Sequence, residues 1–281
     1  MDNVLKDGLP PLRDIIARYD LGAKKSLGQN FLLDFNLIAK IARSAGSTSD
    51  GTVIEVGPGP GGLTRSLLWH GARHLIVIEK DKRCLPVLNE IAEKYPGRLE
   101  MYQGDALHMD LSTLGKPPRQ IIANLPYNIA TPLLIKWLEQ APAFSSLILM
   151  MQKEVVERLI AQPKTKAYGR LSILTQQAAQ VKRLFDVHPR AFMPMPKVVS
   201  SVVSIQPYAR PPYPCHSKTL QRVTEAAFGQ RRKMLRQSLR KMGNDAELHS
   251  LFTQLSIDPT SRAEELSIQQ FASLARALEN R

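Results

Sequence analysis

Two cysteines among 281 residues, Cys84 and Cys215, are too few and too far apart for a disulfide framework. A reducing compartment, the cytoplasm, is the expected location. No apolar run approaches the ~20 residues that a membrane span needs. The first ten residues carry acids and no hydrophobic stretch, so no secretory signal is expected. His70, His74, His108, His188, His216 and His249 show no metal-ligand spacing, and neither cysteine has a partner motif, so no metal is expected. Internal repeats and low-complexity tracts are missing too. Acidic side chains are in deficit: 25 Asp and Glu face 38 Lys and Arg, a formal charge of +13, with a pI near 9.9. Such an excess favours a polyanionic partner, nucleic acid or an anionic surface. It is spread along the chain, since 26 basic against 18 acidic residues leave +8 over residues 1–208, and 12 against 7 leave +5 over residues 209–281.

What is present alternates between two periods. Leu12, Ile15 and Ile16, and later Leu37, Ile38 and Ile41, fall at helical spacing. From Thr52 the pattern becomes strand and helix in turn. Thr52–Val56, His74–Ile78, Leu99–Tyr102, Gln120–Ala123 and Leu147–Met151 read as strands. Leu63–Trp69, Arg83–Tyr95, Leu133–Leu138 and a segment from Glu154 read as helices. This alternation predicts an α/β fold with a doubly wound parallel sheet. Val181–Val187 and Ser201–Ile205 alternate apolar and polar residues and could close one sheet edge as an antiparallel hairpin. Four prolines in Pro207–Pro214 mark a linker. Beyond it, Leu220–Phe228, Leu235–Met242, Leu248–Leu255 and Ile268–Leu278 predict a small all-helical domain. The expected division is residues 1–208 and 209–281.

Two loops carry the chemistry. The first, Glu55-Val56-Gly57-Pro58-Gly59-Pro60-Gly61-Gly62, follows a strand and opens a helix, as nucleotide-cofactor loops do. Glycine lets backbone approach a ligand closely and take positive φ. The pattern alone suits NAD, FAD and S-adenosylmethionine alike. Pro58 and Pro60 remove amide donors that a pyrophosphate would use, which leans towards S-adenosylmethionine. Glu79, 22 positions after Gly57, ends the next strand where a carboxylate can accept both ribose hydroxyls; Asp105 follows the third strand, placed to meet an adenine amine. The second loop, Asn124-Leu125-Pro126-Tyr127, lies 67 positions after Gly57 at the end of a buried strand. The Asn124 amide oxygen and the Leu125 carbonyl can accept the two protons of an exocyclic amine beside Pro126, while Tyr127 stacks on the ring. A cofactor loop and an amine-reading loop on one sheet point to methyl transfer onto a nucleobase nitrogen. Tyr127 could otherwise be an ordinary turn aromatic, and Glu79 and Asp105 solvated loop acids.

With these residues in view, the chain resembles the ribosomal RNA adenine dimethyltransferase family, in its bacterial small-subunit branch. Lys25-Ser26-Leu27-Gly28-Gln29-Asn30-Phe31-Leu32 is similar to the family's cofactor-lid segment. The glycine loop, Glu79-Lys80-Asp81, Gly104-Asp105-Ala106 and Asn124–Ile129 follow in the family's order. So do Gln152–Val155, Tyr168–Ser172, Pro194–Val198 and Phe228–Lys233. The resemblance implies a Rossmann-like class I methyltransferase sheet with a helical C-terminal domain. It implies that Asn30, Leu32, Gly57, Glu79, Asp105 and Asn124 contact S-adenosylmethionine, although Asn30 alone reads as a helix cap and Leu32 as core. Phe192 is the implied second stacking face for the target base. The implied reaction is dimethylation of N6 on two adjacent adenosines in a hairpin loop near the 3′ end of small-subunit RNA, within an immature 30S particle. The enzyme is expected to be monomeric. A large-subunit RNA methyltransferase of the antibiotic-resistance type, a non-catalytic RNA-binding assembly factor and a nicotinamide dehydrogenase are the rival readings.

Arg231, Arg232, Lys233, Arg236, Arg240 and Lys241 fall within 11 residues that hold no acid. On a continuous helix, Arg232, Arg236 and Arg240 would share one face and form a stripe able to follow a phosphate backbone. A solvated basic helix face is the alternative.

Overall fold

The computed structural model describes residues 7–230 and 232–279. Helices α1 (Leu12–Arg18) and α2 (Phe35–Ser44) flank the two-residue strand β1 (Phe31–Leu32). The Asp34 carboxylate starts α2 by accepting the amides of Asn36 and Leu37, the usual action of an aspartate N-cap. The alternating region then runs β2 (Thr52–Val56), α3 (Gly62–Trp69), β3 (Leu75–Glu79), α4 (Leu85–Lys94), β4 (Leu99–Gln103), β5 (Arg119–Asn124), α5 (Tyr127–Glu139), β6 (Ser146–Gln152) and α6 (Lys153–Leu159). Next come α7 (Arg170–Ala178), β7 (Ala179–Val187), β8 (Phe192–Met193) and β9 (Ser200–Pro207). The chain continues through α8 (Ser217–Gly229), α9 (Leu235–Ser238), α10 (Asp245–Gln254) and α11 (Ile268–Ala277).

Seven strands form one sheet in the order β4-β3-β2-β5-β6-β9-β7. β2 pairs in parallel with β3 and β5, β3 with β4, and β5 with β6, while β9 runs antiparallel to β6. Every residue of β2 and β3 is buried, as central strands covered on both faces must be. That explains the apolar runs Val53–Ile54 and Leu75–Ile78 within them, among which Thr52, Glu55 and Glu79 are buried polar residues. β1 and β8 make a separate antiparallel pair, Phe31 opposite Met193 and Leu32 opposite Phe192.

The chain separates into two compact units. The first comprises the residues up to Val156 together with Lys182–Pro207; the second comprises Glu157–Val181 and the residues from Tyr208 on. The division near 208 resembles the expected one, but residues 157–181 depart from it. The reason is packing: Tyr168, Ile173 and Leu174 are buried in one cluster with Leu220, Val223 and Phe271, and the Tyr168 hydroxyl donates to the Leu266 carbonyl at 2.9 Å.

In the first unit an ion pair is sealed from water. The Arg65 guanidinium on α3 grips the Asp7 carboxylate through two bonds of 2.7 and 2.6 Å, and donates to the carbonyls of Pro10 at 2.7 Å and Leu9 at 3.2 Å. Both side chains are 0 % exposed. The segment ahead of α1 is thereby fastened to the helix that follows the glycine loop.

The basic stretch after α8 is not a continuous helix. Arg232 and Lys233 lie in a turn, Met234 is extended and bridges Arg262, α9 is one turn long, and Arg240–Met242 is a short 3-10 turn. The amides of Leu235 and Arg236 donate to the carbonyls of Ser261 and Pro259. These first-turn amides have no intrahelical partner and tie the start of α9 to a neighbouring loop, so the expected helix over Leu235–Met242 is present as α9 and a 3-10 turn.

Candidate active site

The strand order determines where a ligand can sit. From β2 the chain moves outward to β3 and β4, then returns to the other side of β2 as β5 and continues to β6. The carboxyl ends of β2 and β5 are thus neighbours at the point where the order reverses, the position at which open α/β sheets bind ligands. A cleft enclosing about 1230 Å³, part of it open to solvent, occupies this point. Asn30, Leu32, Gly57, Glu79, Asp105, Asn124, Leu125, Pro126 and Tyr127 all line it.

The glycine loop forms one wall. Gly57 extends the β2–β3 ladder through its amide to the Ile78 carbonyl at 2.9 Å, then turns with φ +71°. Gly61 precedes α3 at φ +80°, and a Cβ there would overlap Cδ1 of Ile91. Glu79, at the end of β3, accepts the Gly59 amide at 2.9 Å and the Asp81 amide at 2.7 Å. Burial pushes its carboxyl above the ordinary range, opposed by those two amides. Each oxygen retains a further lone pair for a hydroxyl donor. Asp105 is held low by Lys80, whose ammonium lies 2.9 Å away, and by the Leu107 amide. Residues 26–32 also line the cleft, and there Gln29 donates to Asp81 at 3.1 Å. Asp81 is itself depressed to about 2, chiefly by Arg83.

The opposite wall is the Asn124–Tyr127 loop. The Leu125 amide prolongs the β5–β6 ladder to the Met150 carbonyl at 3.2 Å. The Asn124 amide nitrogen faces the Asn30 carbonyl across a long contact of 3.5 Å, an orientation that leaves its oxygen available as an acceptor. Pro126 precedes the first turn of α5, and Tyr127 opens that helix, half-buried, with its hydroxyl 2.7 Å from Ser200 Oγ. Farther along α5, the Lys136 ammonium donates to three carbonyls in the loop after Asp105: Met109 at 2.6 Å, Leu107 at 2.8 Å and Ala106 at 3.4 Å. No motif marks Lys136 or Ser200 in the sequence; only the fold brings them to these loops.

Glu55 lies behind the glycine loop, fully buried, accepting the Thr64 hydroxyl at 2.7 Å. Burial pushes its carboxyl up to about 8 from the ordinary 4.5. Between those values the unfolded chain has lost this proton and the folded chain keeps it, so rising pH destabilises the fold through this window. Glu55→Gln keeps an acceptor for Thr64 and removes the titration. Its urea midpoint is expected to gain on the parent's steadily from pH 5 to pH 8. A constant gap between the two midpoints would contradict the assignment.

Phe192 does not line this cleft. It is 6 % exposed, belongs to the hydrophobic core of its unit beside Leu32 and Val187, and borders a separate shallow hollow with Arg13, Asn36 and Arg190. Successive strand residues face opposite ways, and at β8 the aromatic ring turns inward while Met193 is exposed. In this structure Phe192 is a core residue, which differs from the expected stacking face.

Of the basic residues, Arg232, Lys233, Arg236 and Arg240 are all exposed in the second unit, and Arg240 pairs with Asp245 at 3.3 Å. Arg231 lies outside the described residues. With no continuous helix beneath them, the exposed cations do not share the single helical face anticipated.

Comparison with known proteins gives the site its setting. Residues 21–280 match the family model described as ribosomal RNA adenine dimethylase. A protein of Rhodospirillum rubrum named ribosomal RNA small subunit methyltransferase A is 60% identical over 273 residues, covering 97% of this chain and 94% of that one. A protein of the same name from Paramagnetospirillum magneticum is 56% identical, covering 97% and 96%. Among solved structures, a dimethyladenosine transferase from Plasmodium falciparum shares the fold with a TM-score of 0.75 at 24% identity, over 87% of this chain and 96% of that one. The 23S rRNA methyltransferase ErmE aligns with a TM-score of 0.66 at 25% identity, over 89% and 100%.

Proposed function

The chain belongs to the ribosomal RNA adenine dimethylase family, and from that membership we propose that the cleft transfers methyl groups from S-adenosylmethionine to N6 of two adjacent adenosines near the 3′ end of small-subunit RNA. The observation that supports this most is the meeting of the glycine loop and the Asn124–Tyr127 loop in one cleft. The donor set suits the cofactor. Positive-φ glycines provide backbone without side-chain bulk, two carboxylates stand at successive strand ends, and the prolines leave no amide array for a pyrophosphate.

In this reading Glu79 accepts the ribose hydroxyls, Asp105 meets the adenine amine of the cofactor, and Asn30, Leu32 and Gly57 border the methionine side. S-adenosylmethionine supplies an electrophilic methyl group on a sulfonium. The chain supplies the rest. An exocyclic amine is a weak nucleophile because its lone pair is delocalised into the purine. Acceptance of its two protons by the Asn124 side-chain oxygen and the Leu125 carbonyl favours a more tetrahedral nitrogen and aims the lone pair. Tyr127 presents a neutral ring, since burial raises its phenol above the ordinary 10. A target held in this way has to leave its stack, which suits a loop nucleotide. The exposed cations around Arg232, Lys233, Arg236 and Arg240 would contact phosphates. The substrate on this reading is an immature 30S particle, the enzyme acts as a monomer, and the location is the cytoplasm. Among the described residues no helix is long and apolar enough to cross a membrane.

The test is methyl incorporation from labelled S-adenosylmethionine into small subunits from cells lacking this protein, followed by mass spectrometry of the RNA. Two dimethyladenosines in one small-subunit hairpin are expected. Label confined to large-subunit RNA would move the chain to the rival substrate, and no label in either RNA would remove catalysis.

A further inference from the structure

We propose that Ser200 is a positioning residue that fixes the direction of the Tyr127 ring. The proposal rests on Tyr127 as the ring that meets the target base. Ser200 is the first residue of β9, 0 % exposed, and its backbone stands opposite Gln152 at the end of β6. The preceding amide link is also tied down, because the Lys153 backbone amide donates to the Val199 carbonyl at 2.9 Å. The serine is thus a rigid point of the sheet. A buried hydroxyl needs a partner, and this one lies 2.7 Å from the Tyr127 hydroxyl.

The geometry specifies what such a bond can do. The phenolic oxygen lies on the axis about which the ring turns, so rotation of the ring plane does not move it. Swinging the whole side chain about its first torsion does. The bond to Ser200 therefore sets where the ring axis points and leaves the tilt of the plane to packing. Without it, a tyrosine at the first turn of a helix, only half-buried, has other staggered rotamers open to it. The link also joins two blocks 73 residues apart, the amine-reading loop and the Pro194–Val198 segment that leads into β9.

The consequence falls on kcat. RNA affinity comes mostly from phosphate contacts elsewhere, whereas the aim of the stacking ring decides how often the amine reaches an attacking geometry. Ser200→Ala is expected to lower kcat about tenfold, with KM for undermethylated small subunits and cofactor Kd within about twofold of the parent. Tyr127→Phe should lose a similar factor, and the double variant should be no worse than either single one. Ser200→Thr keeps the hydroxyl and should restore kcat to within about threefold of the parent. An unchanged kcat in Ser200→Ala, or losses that multiply in the double variant, would overturn the assignment; multiplying losses would mark Ser200 as a merely structural residue.

A second readout needs no RNA. In protein carrying 3-fluorotyrosine, the fluorine lies beside the hydroxyl, and the Tyr127 resonance is expected to shift and broaden in Ser200→Ala. A resonance that stays in place refutes the anchor whatever the activity. If the parent methylates no RNA, the functional reading fails while this resonance still judges the anchor.

Discussion

Replacing Asn124 with alanine is expected to lower kcat by about 10²- to 10³-fold while S-adenosylmethionine still binds within a few-fold of the parent affinity. The two effects separate because the cleft has two walls. Glu79, Asp105 and the glycine loop are untouched by the change, and they account for most of the proposed cofactor contacts. What disappears is an acceptor for one amine proton. The remaining Leu125 carbonyl cannot by itself hold the nitrogen with its lone pair directed at the methyl carbon. The backbone should hold, since the Leu125 amide keeps its 3.2 Å bond to Met150 whatever the side chain at 124. Single-turnover methyl incorporation and a cofactor titration on the same preparation measure the two quantities. Near-normal incorporation by Asn124→Ala would remove the proposed mechanism.

Asp7→Ala is expected to cost about 3–5 kcal/mol of stability, the largest effect we anticipate from a residue outside the cleft. The Arg65 guanidinium is 0 % exposed, and alanine at position 7 would leave it with two carbonyls and no counter-charge. The penalty belongs to the stranded cation more than to the pair. The double change Asp7→Leu with Arg65→Met should therefore recover much of it. Urea unfolding followed by tryptophan fluorescence reports on the right part of the molecule, because Trp69 and Trp137 both lie in the first unit. A double variant as unstable as the two single changes combined would show that packing around α3, and not the charge, sets the cost.

The parallel sheet was legible in the sequence because its strands are short, apolar and punctuated by the residues that end them. β2 spans the same residues as the periodicity indicates, and β3 and β5 differ by one residue at each end. The same boundaries located both loops of the cleft, since each begins where an apolar run stops. Four features could not be read. β1 and β8 are two residues each and 161 positions apart, far too short for any period to register. α7 buries Ser172, Thr175 and Gln177 alongside Ile173, so no apolar stripe announces a helix. The basic segment at 232–242 has good helical composition, but an isolated bridge from Met234 to Arg262 and a 3-10 turn at Arg240–Met242 interrupt it. Phe192 carried a chemical role by resemblance, yet the direction of a single ring at a two-residue strand depends on the core beneath it.

Helix α5 begins at Tyr127, and nine residues later Lys136 clasps the loop that follows Asp105. At 1.5 Å of rise per residue, the two attachment points are about 13 Å apart. The proposed purine end and the cofactor end of the cleft are therefore joined through one helix, with Pro132 between the two points. Acetylating that one ammonium would remove its charge and loosen the helix from the loop.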